Sequence, residues 1–570
     1  MTGAGIFICI KDSVFIDPAC GSGNFLTETF LSLRRLENEV LRQRIAADRN
    51  EVAGQIMLDF GGTYSIKVSI GQFYGIEIND FAVTVAKTAL WISEEQMIRE
   101  TQEIIHTNID FLPLKAYANI VQGNALQIDW ESVVQKNKLN YIYGNPPFIG
   151  YFMQNKEQKE DIISLFSDVN GKPYKDSGKI DYVSGWYYKA SQYIQGTKIK
   201  VAFVSTNSIT QGTMASALWK PLYKDFGIHI IFAWRTFIWN SESFSKAAVH
   251  CVIIGFAANT DNTNCIIFEK EGTVKSVTKI NQYLIEGDEI FIEPRNTAIC
   301  NVAKMSSGGK PVEGGNFIFE DTEKDNFINQ EPNSKKYFKK FVGSQDYIHN
   351  KTRWCLWLVN ATPKDINSMP EVRKRIEAVR AFRLNSKKAA TRKAAEYPTR
   401  FAEIKDTSSR FVVVPEVSSE RRRYIPIGYL DDSFILSNGL RYIPHAGLYE
   451  FGILTSNVHM AWTRTVCGRL KSDYDYSVSI VYNNFPWPSP SPEQKTRIEQ
   501  TAQEILDARA LYSDSSLADL YDPLTMPPEL RKAHDRNNAA VMKAYGFPIS
   551  MSEAECVAAL MKMYQELTSK

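Results

Sequence analysis

The residues best suited to chemistry are four consecutive positions after a short apolar run. They are Asn145, Pro146, Pro147 and Phe148, and the run before them reads NYIYG. Two consecutive prolines fix the backbone and remove two N–H donors, which leaves carbonyl oxygens, including that of the Asn145 side chain, free to accept. An aromatic ring follows at once. Together these groups predict a pocket that accepts hydrogen bonds from an amine and stacks against a flat base.

A second motif, DPACGSGNF at residues 17–25, lies between a predicted strand and a predicted helix. Its glycines allow a tight turn whose backbone amides can approach a ligand. Dinucleotide-binding loops carry a third glycine in GxGxxG, which this loop lacks, and the strand instead ends in a carboxylate. That carboxylate suits a ligand with a cationic amino-acid end. The predicted cofactor loop comprises Asp17, Ala19, Cys20, Gly21, Gly23 and Asn24.

Two further strand ends complete the predicted cofactor site. Glu77 and Ile78 follow one apolar run, and a carboxylate at a strand end can accept both hydroxyls of a ribose. Asn124 and Ala125 follow another run, where Asn124 is placed to bond an adenine edge. Each also has a plainer interpretation, since Glu77 alone fits a solvent-facing acid and Asn124 alone fits an ordinary turn.

These motifs need a scaffold that brings strand ends together. Short apolar runs alternate with helical stretches in the first ~260 residues, which predicts an α/β domain with a mostly parallel, doubly wound sheet. The runs cover residues 14–17, 73–77, 120–122, 140–143, 200–205, 228–232 and 248–255. A polar, glycine-rich connection is predicted at 261–333 and a proline-rich linker at 486–492.

The charge of the chain is unevenly distributed. The formal net charge is +2, but residues 331–430 hold 22 Lys and Arg against 10 Asp and Glu, a net of +12. Such a block predicts a polyanion contact, although a solvated helix face is the alternative. Arg421, Arg422 and Arg423 lie in it; on a strand the first and third share a face and the second opposes them. Arginine suits both phosphate clamping and bidentate contact with guanine.

Cysteine usage and hydropathy exclude several classes of protein. The eight cysteines form no CxxC pair or other metal-ligand spacing, and eight in 570 residues do not indicate a disulfide scaffold. No stretch approaches the ~18 apolar residues of a membrane span. We therefore expect a protein of a reducing cytoplasm with no metal site and no membrane contact.

The first two motifs together resemble a known family. DPACGSG at 17–23 with NPPF at 145–148 resembles the amino-methylating DNA methyltransferases of the gamma arrangement, in which the cofactor motif precedes the catalytic motif and target recognition comes last. Further runs are similar to the Mme-type (type IIL) restriction–modification proteins: CLWL at 355–358, VSSERRRYIPIG at 417–428 and LYDPLTM at 520–526.

The resemblance implies an architecture and a reaction. It implies a Rossmann-like class I methyltransferase domain at 1–260, a connecting region at 261–333, a mixed α+β target-recognition domain at 334–486 and a helical domain at 493–570. The implied enzyme moves a methyl group from S-adenosylmethionine to N6 of an adenine flipped out of double-stranded DNA, without a metal, in a prokaryotic cytoplasm. The amine would meet Asn145 and the Pro146 carbonyl, and the base would stack between Phe148 and Phe244.

Two departures from the family pattern stand out. The family normally carries an N-terminal nuclease and a helical connector, and this sequence begins almost at the first cofactor strand, so we expect no nuclease region here. Many relatives have Asp where Asn124 stands, which leaves the adenine contact open. Any separate nuclease or specificity partner also stays open.

Other functions remain in competition. An N-P-P-aromatic motif also serves enzymes that methylate RNA bases or protein glutamine, but ~300 further residues with a basic block favour DNA. Glu403 and Lys405 have the E-x-K form of a nuclease site without an upstream Pro-Asp strand. A catalytically inactive DNA-binding remnant is the alternative from another class. Cytosine C5 methylation would need a cysteine nucleophile, and none neighbours Asn145.

Overall fold

The computed structural model describes residues 11–51, 66–105, 119–168, 170–239, 249–258, 264–269, 272–405 and 409–569. The chain divides into two compact units. The first comprises residues 1–210 and 214–291, and the second comprises residues 211–213 and 292–570. Among the described helices, none combines the length and the apolar character that a membrane crossing requires.

The first unit is built on one large sheet. In its described part the strand order is β3-β2-β1-β4-β5-β7-β6-β8-β9. In chain order the strands are β1 (Phe15–Asp17), β2 (Phe73–Glu77), β3 (Asn119–Gln122), β4 (Tyr141–Gly144), β5 (Lys200–Thr206), β6 (His229–Trp239), β7 (Val249–Ala257), β8 (Cys265–Phe268) and β9 (Val274–Val277). Every apolar run that was predicted as a strand overlaps one of β1 to β7.

The pairing directions confirm a doubly wound sheet. β1 pairs in parallel with β2 and with β4, β2 with β3, and β4 with β5. β7 lies antiparallel between β5 and β6. The link from β6 to β7 has only the nine residues 240–248, whereas a parallel crossover needs about a dozen or more. β7 therefore has to run antiparallel to β6.

Helices cover both faces of this sheet because its strands are apolar on both faces. They are α1 (Asn24–Glu51), α2 (Asp80–Ile105), α3 (Lys156–Leu165), α4 (Ser184–Tyr193) and α5 (Gly212–Phe226). Phe15 and Phe73 stack at 5.2 Å and pack with α1 and α2 on one face. Ile16 and Ile76 point to the other face, where they join the core that includes Trp186 of α4.

The region predicted as a connection at 261–333 contains ordered elements of both units. β8 pairs in parallel with β6, and β9 pairs antiparallel with β8, so both extend the first sheet. Residues from 292 onward belong to the second unit. Neither strand was predicted, because each has only four residues and both lie in a polar, glycine-rich stretch.

The second unit combines small sheets with helices. Its described strands form sheets in the orders β10-β18-β14-β16, β11-β13-β12-β17 and β15-β20-β19. They are β10 (Ser306–Ser307), β11 (Ile318–Phe319), β12 (Phe338–Val342), β13 (Arg353–Leu356), β14 (Phe411–Pro415), β15 (Val417–Ser418), β16 (Gly428–Leu430), β17 (Phe434–Leu436), β18 (Leu440–Pro444), β19 (Gly468–Leu470) and β20 (Asp473–Asp475). This is a mixed α+β arrangement, as predicted.

Helices dominate the carboxyl-terminal part of the same unit. The described helices are α6 (Asp321–Gln330), α7 (Ser344–Ile348), α8 (Pro363–Asn367), α9 (Pro370–Leu384), α10 (Ala389–Lys393), α11 (Leu448–Leu454), α12 (Asn457–Val466), α13 (Pro492–Ala510), α14 (Leu517–Leu520), α15 (Pro528–Tyr545) and α16 (Glu553–Thr568). The proline-rich stretch before α13 is packed rather than a free spacer. Its Trp487 is 6% exposed and lies against Phe485 at 5.7 Å between ring centroids.

Candidate active site

The strand order reverses at β1, which makes the centre of the sheet a topological switch point. β1 lies between β2 and β4, and the later strands continue outward on opposite sides, from β2 to β3 and from β4 to β5. In open α/β sheets, ligands bind outside the carboxyl ends of strands at such a switch point. The predicted cofactor and catalytic motifs follow β1, β2, β3 and β4, so the fold places their starting points at one edge.

The glycine loop after β1 is fastened to the end of β2 by one carboxylate. Gly21 and Gly23 have positive φ values of 52° and 85°, a region that favours glycine. The N–H of Gly21 donates to Glu77 Oε2 at 2.9 Å, and the N–H of Asn79 donates to Glu77 Oε1 at 2.9 Å. Each oxygen of Glu77 keeps a further lone pair with which it can accept a ligand hydroxyl.

Cys20 fills the space that a glycine leaves open on β2. Its N–H donates to the carbonyl of Ile76 at 3.1 Å, and its side chain is 6% exposed. A Cβ on Gly75 would lie 2.8 Å from Cys20 Sγ, so only glycine fits there. Burial raises the pKa of the Cys20 thiol, which stays protonated. Cys20 therefore packs the loop against β2 and does not act as a nucleophile.

Asp17 is a buried carboxylate at the end of β1. It is 1% exposed, and its Oδ1 accepts the N–H of Ala19 at 2.9 Å. Burial raises its pKa to about 7, the Ala19 N–H opposes that shift, and the negative charge of Glu77 adds to it. A Cβ on Gly144 would approach Asp17 Oδ1 closer than 3 Å, so glycine is needed where β4 passes this carboxylate. A buried carboxylate with a raised pKa favours a cationic neighbour.

The four residues of the catalytic motif follow β4 directly. Pro146 is buried, Pro147 is exposed, and Asn145 and Phe148 are partly buried. The side-chain oxygen Oδ1 of Asn145 is buried and has no hydrogen-bond partner among the described residues. A buried acceptor without a donor costs about 1–3 kcal/mol. The structure thus holds a buried acceptor for which the described residues supply no donor.

Asn124 lies at the same edge but already has protein partners. Its Nδ2 donates to Asp161 Oδ2 at 2.9 Å, and its Oδ1 accepts the N–H of Leu126 at 2.9 Å. Asp161 also accepts from Gln127 at 2.9 Å and from the Tyr182 hydroxyl at 2.7 Å. A direct bond from Asn124 to an adenine edge, as predicted from the sequence, would have to compete with these partners.

Other predicted cofactor residues differ in exposure. Ile78, directly after Glu77, is 67% exposed, and Phe81 beside it is 74% exposed. Asn24 begins α1 at the surface, and its Oδ1 accepts from the Ser22 hydroxyl at 3.3 Å. Ala125 is 5% exposed and belongs to the core. Ile78 thus offers apolar surface to a flat ring, whereas Ala125 offers only its backbone.

The second predicted stacking residue, Phe244, lies outside the described residues. The strands on either side of it are described, and they locate the edge from which its link starts. β6 is antiparallel to β7, which is antiparallel to β5, so β6 points in the same direction as β5. The link that contains Phe244 therefore leaves β6 at Trp239 and enters β7 at Val249 on the edge that carries the glycine loop.

The three consecutive arginines of the second unit do not lie on a strand. They occupy a turn between β15 and β16, so the strand-based alternation of their faces is wrong. Arg421 is exposed, while burial lowers the pKa of the Arg422 guanidinium. Arg423 pairs with Asp535 of α15 at 3.3 Å. β15 ends at Ser418, and Ser419 and Glu420 separate it from the arginines.

The E-x-K pair in the second unit is engaged in ion pairs. Lys405 Nζ lies 2.7 Å from Glu403 Oε1, and Lys310 Nζ lies 3.1 Å from Glu403 Oε2. These two cations lower the pKa of Glu403. A carboxylate neutralised by two ammonium groups is poorly suited to hold a catalytic metal.

Comparison with known proteins assigns the chain to a family. Residues 8–269 match the family model "MmeI, DNA-methyltransferase domain", residues 286–489 match "MmeI, target recognition domain" and residues 490–570 match "MmeI, C-terminal domain". The solved structure of the type IIL restriction–modification enzyme MmeI in complex with DNA superposes with a TM-score of 0.88 at 42% identity. That superposition covers 100% of this chain and 75% of that chain. The chain belongs to the MmeI family.

A curated bacterial protein is also similar to this chain. DNA methyltransferase A of Bacillus subtilis (strain 168) is 41% identical over 560 residues, which cover 98% of this chain and 61% of the relative. The chain thus spans less than two thirds of that relative's length.

Three buried residues of this MmeI-family chain were missed by sequence reasoning. Trp186 donates its indole N–H to the carbonyl of Pro18 at 2.9 Å and so fixes the start of the glycine loop. Asp161 holds Asn124, as described above. Asp181 accepts the N–H of Tyr151, after the catalytic motif, at 3.1 Å. None of them stands in a recognisable motif. Each forms the hydrogen bond described here with a residue more than 25 positions away in the sequence.

Proposed function

We propose that this chain is a site-specific DNA methyltransferase of a restriction–modification system, acting in a prokaryotic cytoplasm. It transfers a methyl group from S-adenosylmethionine to N6 of an adenine flipped out of double-stranded DNA. The observation that carries the proposal is the buried Oδ1 of Asn145, which has no hydrogen-bond partner among the described residues. Asn145 directly follows Gly144, the residue of β4 that passes Asp17. An acceptor held there by two prolines suits an exocyclic amine.

The residues of the crevice fit the proposed cofactor. The buried carboxylate of Asp17 suits its cationic amino group, Glu77 suits the ribose hydroxyls, and exposed Ile78 suits one face of the adenine. Gly21 and Gly23 let the loop turn closely around the ligand. When bound, S-adenosylmethionine supplies a methyl group that is already electrophilic because it is attached to a sulfonium.

The chain's own contribution is to position the amine. Asn145 Oδ1 and the carbonyl of Pro146 accept the two amine hydrogens, which draws the nitrogen toward tetrahedral geometry and releases its lone pair from the ring. The same acceptors stabilise the positive charge that develops on the nitrogen. Phe148, partly exposed, is a stacking platform that holds the plane of the base. Cytosine C5 methylation is disfavoured because the thiol of Cys20 is buried and protonated.

Recognition of DNA is assigned to the second unit. Residues 286–489 match a target recognition domain, and the basic block with a net charge of +12 at 331–430 lies entirely within that range. The solved MmeI structure is itself a complex with DNA. We infer that this chain also binds double-stranded DNA. The target adenine has to leave the base stack before its exocyclic amine can reach Asn145.

The test compares methyl acceptors. Genomic DNA from cells that express the chain is sequenced with detection of modified bases, and purified chain is incubated with radiolabelled cofactor plus duplex DNA, RNA or a glutamine-containing peptide. We expect label only in DNA, as N6-methyladenine at one sequence. Label in RNA or peptide would replace the proposed substrate, and cofactor binding without transfer to any acceptor would identify an inactive remnant.

A further inference from the structure

Two large apolar side chains project into solvent just after the catalytic motif. Phe152 is 81% exposed and Met153 is 80% exposed, four and five residues after Phe148. Single exposed apolar residues are common and need no explanation. Two adjacent side chains that are each at least 80% exposed, here called the Phe152–Met153 tip, form an apolar surface just after the predicted catalytic motif.

Hydrogen bonds hold the residues on both sides of the tip in place. Before it, the N–H of Tyr151 donates to Asp181 at 3.1 Å, and the Tyr151 ring lies 3.8 Å from that of Phe152. After it, buried Gln154 donates to the carbonyl of Ile180 at 2.8 Å, and the next residue caps α3. The structure thus holds the two side chains outward, although a flexible loop could have folded them away from water.

The position of the tip limits what can lie against it. Four residues of extended chain span at most about 14 Å, so the backbone of Phe152, the nearer residue of the tip, lies within that distance of Phe148. Successive bases along a strand are about 3.4 Å apart. A duplex that delivers its adenine to Asn145 and Phe148 therefore has the tip within about four base steps of the flipped nucleotide.

We propose that the Phe152–Met153 tip inserts into the duplex next to the target adenine and fills the space that the flipped base leaves. This inference rests on the proposed function. Phe and Met are among the apolar side chains that proteins insert between base steps, where they separate neighbouring bases and kink the duplex. Flipping a paired base costs a few kcal/mol, and less when the base is already unpaired. The tip is thereby assigned to the opening of the duplex and not to methyl transfer itself.

The experiment separates opening from chemistry by changing the DNA. Phe152→Ala, Met153→Ala and the double variant are compared with wild type in single-turnover methylation of two duplexes. One carries the target adenine opposite thymine, and the other carries it opposite an abasic site. The control variant is Ile549→Ala, which removes a 73% exposed apolar side chain of the second unit. Cofactor titration and thermal melting verify that each variant is folded.

We expect the double variant to methylate the paired duplex at least about tenfold more slowly than wild type, and the abasic duplex within about twofold of wild type. 2-Aminopurine at the target position should brighten less with the double variant than with wild type. Equal loss on both duplexes would overturn the inference, because the tip would then act in the pocket, and so would no loss on either. If wild type methylates neither duplex, the proposed function itself fails.

Discussion

Asn124 and Asn145 differ in whether the side-chain oxygen has a hydrogen-bond partner within the described part of the chain. Asn124 uses its Nδ2 and its Oδ1 on Asp161 and Leu126, whereas the Oδ1 of Asn145 is buried without a partner among the described residues. The residue type alone therefore does not assign a role. The role proposed for Asn145 depends also on the two prolines that follow it, because they have carbonyl acceptors but no backbone N–H donors.

Replacement of Asn145 tests this assignment at the residue scale. Asn145→Ala should lower the methyl-transfer rate by on the order of 10²-fold or more, since one positioned acceptor is lost, while cofactor affinity changes by no more than several-fold. Asn145→Asp is the matched variant, because it keeps an acceptor oxygen in the same place. Single-turnover transfer and cofactor titration measure both effects. Transfer by Asn145→Ala at nearly the wild-type rate would remove the mechanism.

The raised pKa of Asp17 predicts a pH dependence of cofactor binding. Without ligand the carboxyl titrates at about 7, so at lower pH it must lose its proton before it can meet a cationic amino group. Affinity should therefore fall by up to about tenfold per pH unit below 7, and binding should release a proton. The measurement is calorimetric titration between pH 5.5 and 7.5, where the amino group of the cofactor, at about 7.7–8.0, stays mostly protonated.

Asp17→Asn provides the control for that dependence. It keeps the shape and the acceptor toward Ala19 but has no proton to lose, so its affinity should be lower and flat across this range. A constant wild-type affinity between pH 5.5 and 7.5 would show that Asp17 does not meet the cation.

At the scale of elements, Gly144 determines how closely β4 can pass β1. Gly144→Ala would place a Cβ closer than 3 Å to Asp17 Oδ1, so the strand end or the carboxylate must move. We expect a loss of about 1–3 kcal/mol in the free energy of unfolding and a large loss of cofactor affinity. Gly178→Ala is the control, since its Cβ would meet no described atom within 4 Å. Unchanged cofactor titration for Gly144→Ala would contradict this geometry.

The three arginines in the turn between β15 and β16 have different surroundings, so we expect different effects on DNA binding when each is replaced. Arg421→Ala should weaken DNA binding, because this side chain is exposed. A phosphate contact predicts equal weakening on all sequences with a salt slope flatter by about one unit, whereas a base contact predicts a loss of about 1–3 kcal/mol at the recognised site only. Arg423→Ala should act mainly through its ion pair with Asp535, about 0–1 kcal/mol of stability for so exposed a pair.

Binding across a salt series, on specific and non-specific duplexes, distinguishes these outcomes. Asp535→Ala breaks the same ion pair but keeps Arg423, so it serves as the matched control. Wild-type behaviour of Arg421→Ala in both series would mean that this turn is not a DNA contact.

The strands and the local motifs could be predicted, but their long-range partners could not. β1 and β4 were found because parallel strands buried on both faces read as continuous apolar runs. β6 extends to Trp239, beyond the predicted 228–232, because its later residues mix polar and apolar types. Asn145 could be predicted as a site residue because the pattern that singles it out is local, and its role stays a prediction. Asp161 and Trp186 were missed because a helix residue that reaches a distant loop leaves no pattern in its own neighbourhood.

At the scale of the whole chain, two buried histidines predict acid sensitivity of the second unit. His459 bonds the Tyr476 hydroxyl at 2.9 Å, and His534 bonds that of Tyr521 at 2.8 Å. Burial lowers the pKa of His459 to about 3 and that of His534 well below its ordinary value of 6.5. The unfolded chain therefore takes up protons below pH 6.5 that the folded chain refuses, and stability falls as the pH falls.

The expected loss is about 1.4 kcal/mol per pH unit for each histidine between pH 6.5 and roughly 4.5. Below that window, carboxylates with lowered pKa values, such as Asp365, begin to contribute as well. Denaturant unfolding at a series of pH values measures the slope. His534→Gln should reduce it, whereas the control His349→Gln, which changes an exposed histidine, should not. An unchanged slope for His534→Gln would exclude this histidine as its source.

The placement of β1 also has a consequence for synthesis on the ribosome. β1 is three residues long, and its neighbours β2 and β4 begin at Phe73 and Tyr141. At about 5–20 residues per second, the chain waits roughly 6–25 s between the emergence of β1 and that of β4. During that interval β1 can pair only with β2, because β4, whose Gly144 packs against Asp17, has not yet been synthesised. The nascent chain therefore completes the proposed cofactor pocket late, and any factor that shields the apolar β1 must act within those seconds.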